Sequence, residues 1–248
     1  MSVLVLGGTG EARELAAALE QEDVRFVSSL AGRVTRPRLP VGEVRFGGFG
    51  GVDGLAAYLV EERVGAVVDA THPFAAGVSG HAVEACRRAG VPLLRLARPG
   101  WGDHPGASRW HWVDGHDEAA SAAGLVGERT VLLTTGRQSL DRFVGPLAGA
   151  RVVARVVDPP EQRLPDRWEV LLDRGPYTPE RERVLMLERE VGVLVTKDSG
   201  GEATRAKLDI ADELGLAVVV VRRPGEDRDV ASVSDVAGAV RWLRSRPG

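Results

Sequence analysis

The feature that most constrains this chain is an alternation kept up along most of its length, in which short runs of β-branched and aliphatic residues are each followed by a stretch of helical period. Residues 3–6 read as a buried strand and 11–20 as a helix. Strands at 24–30, 66–69 and 91–96 then alternate with helices at 52–63 and 75–89. The order returns further on, with strands at 130–134, 151–157, 193–196 and 217–221 and helices at 138–144, 179–190, 203–214 and 233–244. Such alternation builds right-handed βαβ units around parallel sheets, so the expected class is α/β.

Between the two runs, residues 97–117 carry Arg98-Pro99-Gly100, Asp103-His104-Pro105-Gly106 and three tryptophans with little regular period, and read as a connection. The expected division is therefore a first lobe over 1–117, connection included, and a second over 118–248. A chain of 248 residues is long enough for either one large α/β domain or two small ones. Val3-Leu4-Val5-Leu6-Gly7-Gly8-Thr9-Gly10 is echoed by Val131-Leu132-Leu133-Thr134-Thr135-Gly136, and the strand end at Asp69-Ala70-Thr71 more loosely by Thr196–Gly201. An old duplication and two merely similar lobes both account for this. Open α/β sheets bind ligands beyond the carboxyl ends of their strands, which points to a cleft between the lobes.

Composition removes several classes of function. The net charge of −3 offers no global basic field for nucleic acid or an anionic membrane. No apolar run has the length needed to span a bilayer, and the start of the chain lacks the pattern of a secretion signal, so the cytoplasm is the expected location. The single cysteine, Cys86, excludes an intrachain disulfide and reads as a small buried apolar residue. His104, His111 and His116 lack paired ligand spacing, so no metal site is expected. Neither Tyr58 nor Tyr177 has a lysine four residues on, and no Gly-x-x-x-x-Gly-Lys-Ser/Thr run is present.

The first strand runs into Gly7-Gly8-Thr9-Gly10-Glu11-Ala12-Arg13, which opens the first helix. That is the context of a phosphate-binding turn, where glycines let the backbone approach a pyrophosphate and the N–H groups of the helix start favour its charge. The match to the dinucleotide fingerprint is partial, because Arg13 stands in the third glycine place. NAD-preferring folds usually end their second strand with an acidic residue, roughly 20 residues after the glycines. Here that strand ends Ser28-Ser29-Leu30-Ala31-Gly32-Arg33, with hydroxyls and a cation but no carboxylate, which favours NADPH. Gly47-Gly48-Phe49-Gly50-Gly51 follows. It reads equally as backbone lying close to a ligand and as a loop anchored by Phe49 in the core.

Two further turns sit where a substrate is expected. Asp69-Ala70-Thr71-His72-Pro73-Phe74-Ala75 joins a strand to a helix. Thr71 can cap that helix, and His72 can donate a proton or bind a carboxylate. His81, inside the helix, reads as structural. Thr196-Lys197-Asp198-Ser199-Gly200-Gly201 holds one of only two lysines, suited to a carboxylate or a phosphate. Thr135-Gly136-Arg137 and Arg174-Gly175-Pro176 are similar turns.

In order along nearly the whole chain, the 7–13 turn, Ser29–Arg33, Gly47–Gly51, Asp69–Ala75, Arg98-Pro99-Gly100-Trp101 and Lys197–Gly201 resemble the precorrin-6A reductases of cobalamin biosynthesis. The resemblance implies two Rossmann-like lobes with NADPH on the first, and reduction of one double bond of a carboxylate-rich tetrapyrrole. It implies cofactor contacts at Gly7, Gly8, Thr9, Gly10, Glu11, Gly48, Phe49, Thr71 and His72, with Ser29 and Arg33 on the 2′-phosphate. Lys197, Ser199, Gly200, Arg137 and Arg98 are then expected on the substrate. His72, with Asp69 beside it, is the candidate for proton delivery. The rival readings are a non-catalytic NADPH-binding regulator and an enzyme acting on a smaller substrate.

Overall fold

The computed structural model describes residues 2–32, 35–125, 127, 129–225 and 229–246. The chain divides into two compact units, Met1–Pro99 with Pro224–Gly248, and Gly100–Arg223. Each is built on a six-stranded, wholly parallel sheet.

In the first unit the sheet comprises β1 (Ser2–Leu6), β2 (Phe26–Leu30), β3 (Glu43–Phe46), β4 (Val64–Asp69), β5 (Leu93–Leu96) and, from the end of the chain, β12 (Ala231–Val233), in the order β12-β5-β4-β1-β2-β3. Its helices are α1 (Gly10–Gln21), α2 (Gly51–Glu61), α3 (Ala76–Ala89) and α8 (Val236–Arg244). Successive residues of a strand point to opposite faces. Val3 and Val5 therefore pack with Leu15, Leu19, Val240 and Leu243 from α1 and α8, while Leu4 and Leu6 pack with Leu55, Leu59, Ala82 and Cys86 from α2 and α3. Burial on both faces explains why β1 and β4 are continuous apolar runs rather than alternating ones. Cys86 is buried as expected, and burial pushes its thiol up to about 12.

The second unit repeats this plan with β6 (His111–Val113), β7 (Thr130–Leu133), β8 (Val152–Val156), β9 (Trp168–Leu172), β10 (Val191–Lys197) and β11 (Ala217–Val221), ordered β6-β11-β10-β7-β8-β9. Helices α4 (His116–Gly124), α5 (Leu140–Val144), α6 (Pro179–Glu188) and α7 (Ala206–Glu213) complete it, α5 and α7 each preceded by a short 3-10 turn. The first sheet has the doubly wound order 3-2-1-4-5-6; the second has the same spatial arrangement, but its outermost place is taken by β6, the first strand of that unit, and the two segments that echo each other in sequence, β1 and β7, take the same central place.

The boundaries differ from the expected division at 117. Residues 97–117 are more than a connection: Trp101 and Trp110 are buried in the core of the second unit, and β6 pairs with β11. The tail returns to the first unit, where β12 pairs with β5 and α8 packs beside α1. A three-residue strand is too short to carry a period, so neither β6 nor β12 stands out in the sequence. The edge strands β3 and β9 are largely exposed and lack a continuous apolar run for the same reason.

Candidate functional site

In the first unit, the glycine turn lies at the carboxyl end of β1. Gly7 donates its N–H to the Ser29 carbonyl at 2.9 Å, and a Cβ at Gly7 would stand 3.4 Å from that of Ala12, so helix and strand pack closely here. Gly8 has φ of +112°, and the side a Cβ would occupy is open. Thr9 caps α1: its Oγ1 accepts from the Ala12 N–H at 3.1 Å and donates to the Ala70 carbonyl at 2.7 Å. The unpaired N–H groups of a helix's first turn concentrate positive potential.

Glu11 lies in this turn and forms a forked pair with Arg98, at 2.7 and 3.0 Å. Burial pushes the Glu11 carboxyl up, but the Arg98 hydrogen bond, its own backbone N–H and the Arg98 charge together hold it below the ordinary value. Arg98, expected on the substrate, thus has a carboxylate partner within its own unit. Arg13, the misfit in the third glycine place, brings Nη2 to 3.8 Å from where a Cβ on Gly10 would stand, placing a cation near the helix start.

At the next two strand ends, Ser29 is buried on β2 and paired in register with Arg45 on β3. Arg45 donates through Nη1 to Ser29 Oγ at 2.8 Å and to the Gly47 carbonyl at 3.2 Å, and through Nη2 to the Gly48 carbonyl at 3.2 Å. Its guanidinium lies 3.7 Å from the centre of the Phe49 ring, which itself meets Tyr58 edge-on. Phe49 packs against the core, as the anchored-loop reading expects, and also supports the Arg45 cation. Gly54 lets α2 pass under this loop, since a Cβ there would lie 1.7 Å from the Phe49 carbonyl oxygen. Arg33 lies outside the described residues.

The 69–75 turn is organised by a buried ion pair. Asp69 Oδ1 meets Arg95 Nη1 at 2.8 Å and accepts from the Thr71 N–H at 3.0 Å and the Thr71 hydroxyl at 2.7 Å. Arg95 also donates to the Thr71 Oγ1 and carbonyl. Thr71 does not cap the helix as expected: α3 starts at Ala76, behind Ala75, with no side-chain cap, because the Thr71 hydroxyl is taken up by the Asp69–Arg95 pair. His72 is half-buried, and its Nδ1 accepts the Phe74 N–H at 3.1 Å. A neutral ring then carries its proton on Nε2. His81 is exposed on α3. Asp69, Pro73, Ser79, Glu84, Arg95 and Ser232 help line a cavity of about 330 Å³ against α3 and β12.

In the second unit, the ends of the neighbouring strands β7 and β10 bring the polar turns together. Lys197 closes β10, and a Cβ on Gly136 would lie 3.8 Å from its Nζ. Burial lowers the Lys197 ammonium to about 8. Ser199 donates its N–H to the Lys197 carbonyl at 2.7 Å, and Gly200 and Gly201 turn the chain at positive φ. Asp198 holds the turn by accepting from the Trp101 N–H at 2.6 Å and Arg223 Nε at 3.2 Å. Arg137, next to Gly136, reaches the Pro159 carbonyl at 3.4 Å. Burial first, and then the charge of Lys197, lower the His116 ring.

Sequence reasoning missed Arg45, Arg95 and a buried charged cluster in the second unit. In that cluster Arg155 pairs with Glu182 and lies 4.0 Å from the Tyr177 ring centre, with Lys207 buried nearby. Burial, and then the Arg155 charge, lower Lys207 to about 7. A cation inside an otherwise apolar strand was the available signal for Arg95 and Arg155 alike.

Known proteins match this chain over nearly its whole length. Residues 2–244 match the family described as precorrin-6x reductase CbiJ/CobK. The chain is 49% identical over 242 residues to the precorrin-6A reductase of Rhodococcus erythropolis, covering 97% of this chain and 96% of the relative. To that of Mycobacterium tuberculosis it is 47% identical over 246 residues, covering 99% and 98%. A solved structure described as CobK precorrin-6A reductase superposes with a TM-score of 0.89 at 37% identity, covering 98% of this chain and 96% of that one. This chain belongs to the precorrin-6x reductase family.

Proposed function

We propose that this chain reduces one double bond of the precorrin-6A macrocycle, or of its cobalt form, with NADPH, giving the corresponding precorrin-6B. The observation that carries the cofactor assignment is the corner at Gly7–Gly10: the backbone faces open space at Gly8, the helix start lies behind it, and the neighbouring strand closes Ser28-Ser29-Leu30 with no carboxylate. These residues fit a dinucleotide, with Gly7, Gly8, Thr9 and Gly10 around the pyrophosphate and Ser29 toward the 2′-phosphate, where the sequence also leads one to expect Arg33. Glu11 is paired with Arg98, so its charge is met from within and does not stand against a phosphate.

When bound, NADPH supplies the hydride. The protein's part is orientation. Asp69, Arg95 and Thr71 hold the 69–75 turn rigid, so Asp69 positions rather than reacts. His72 offers Nε2–H as a hydrogen-bond donor toward the ligands; with Nδ1 accepting from Phe74 the ring is neutral and keeps its proton, so the proton that completes the reduction is drawn from solvent. In the second unit, Lys197, Ser199, Gly200 and Arg137 offer a cation, N–H and hydroxyl donors and a second cation to the substrate's carboxylates.

Adding precorrin-6A or its cobalt form to the protein with NADPH should lower the NADPH absorbance in proportion to substrate consumed. Binding of NADPH with no absorbance change for either tetrapyrrole would leave a non-catalytic cofactor-binding protein instead.

A further inference from the structure

We propose that Arg45 selects NADPH over NADH by receiving the 2′-phosphate of the adenosine ribose beside Ser29. This rests on the reading that the first unit holds NADPH, and adds a residue that neither motif nor strand pattern indicated.

The position follows from the sheet. Leu6, Ser29 and Arg45 are in register across three adjacent strands, and Gly7, next after Leu6, donates its N–H to the Ser29 carbonyl. Parallel strands are about 4.8 Å apart, so the Arg45 backbone is roughly 10 Å from the glycine turn. In doubly wound folds the ribose of the adenosine lies at the end of the second strand, and the group found there reads its 2′ position. Here that group is Ser29, and the Arg45 guanidinium is hydrogen-bonded to its hydroxyl at 2.8 Å.

The side chain is also held ready. Phe49 supports one face of the guanidinium, and the Gly47 and Gly48 carbonyls fix its edge. These bonds and that to Ser29 use three of the five N–H donors of a guanidinium. The remaining two, on Nε and Nη2, form the side-on fork that matches two phosphate oxygens. Many arginines of this chain pair with a carboxylate; among the described residues Arg45 forms no ion pair. A half-buried, oriented cation with no anion of its own, next to a hydroxyl and a glycine turn, calls for an anionic ligand.

The test is equilibrium titration of the protein alone with NADPH and NADH, followed by nicotinamide fluorescence. The wild-type protein should bind NADPH more tightly. Arg45→Ala should weaken NADPH roughly 10- to 100-fold, the scale of a lost charge-assisted fork, and change NADH by less than about twofold. Arg45→Lys, which keeps the charge and the fold but loses the fork, should fall between, and it carries the test if Arg45→Ala does not fold. Equal losses for both dinucleotides, or an unchanged preference in both variants, would overturn the role of Arg45 alone. A wild-type protein that binds neither dinucleotide would overturn the cofactor assignment itself.

Discussion

Asp69 and Arg95 stand opposite each other at the ends of adjacent parallel strands, their charged atoms 2.8 Å apart and both side chains nearly sealed from water. Removing one partner leaves a buried charge uncompensated, which typically costs about 3–5 kcal/mol. Asp69→Asn is expected to destabilise the protein on that scale, and the double variant Asp69→Asn/Arg95→Met should be markedly more stable than Asp69→Asn. Urea unfolding of the two measures this, and a double variant no better than the single would show that the pair is not energetically coupled.

Thr9 joins the two loops of the first unit, capping α1 with one lone pair and donating to Ala70. Thr9→Val should lose both bonds, about 1–2 kcal/mol of stability, while Thr9→Ser keeps them. The measurements are urea unfolding and NADPH titration. Affinity should fall in the valine variant and recover in the serine one.

Lys207 gives the protein a stability that rises with pH. In the folded state the buried ammonium loses its proton near 7, whereas in the unfolded chain it keeps it until about 10.5. Between those values the unfolded state binds more protons, so unfolding becomes harder as pH rises, by up to about 1.4 kcal/mol per pH unit. Lys197 adds the same sign between about 8 and 10.5. Below about pH 7 both are charged in either state and the burial penalty is complete. Lys207→Met should raise stability at neutral pH and flatten the rise, which urea unfolding at several pH values will show.

His72 accepts the Phe74 N–H through Nδ1, so its neutral ring acts through Nε2–H as a hydrogen-bond donor and not as an acid. His72→Ala is expected to lower kcat for the tetrapyrrole while leaving the Kd for NADPH nearly unchanged. An unaltered kcat would remove His72 from the orientation of the reactants.

The central strands were legible because burial on both faces makes them uninterrupted aliphatic runs, and the Gly7–Gly10 turn because glycines between a strand and a helical pattern are a local signal. What stayed hidden depends on register. Arg45 sits on an exposed four-residue edge strand, and its meaning comes from a serine 16 positions earlier. Arg95 acquires its partner from 26 positions away, and Arg98 from 87. Thr71 was misread as a cap because the competing claim on its hydroxyl by Asp69 and Arg95 is a tertiary one. The path of the tail was unreadable because β12 has only three residues and pairs with a strand formed far earlier in the chain.

That late pairing orders events during synthesis. The first sheet has its outermost strand, β12, and one covering helix, α8, from residues translated only after the second unit. A nascent chain that has already emitted every residue up to Pro99 still exposes the flank of β5 and the apolar side of α1, and must carry both uncovered while the whole of the second unit is translated. Loss of residues 231–244, by a premature stop or a protease, would thus injure a unit whose other strands were translated before the second unit began.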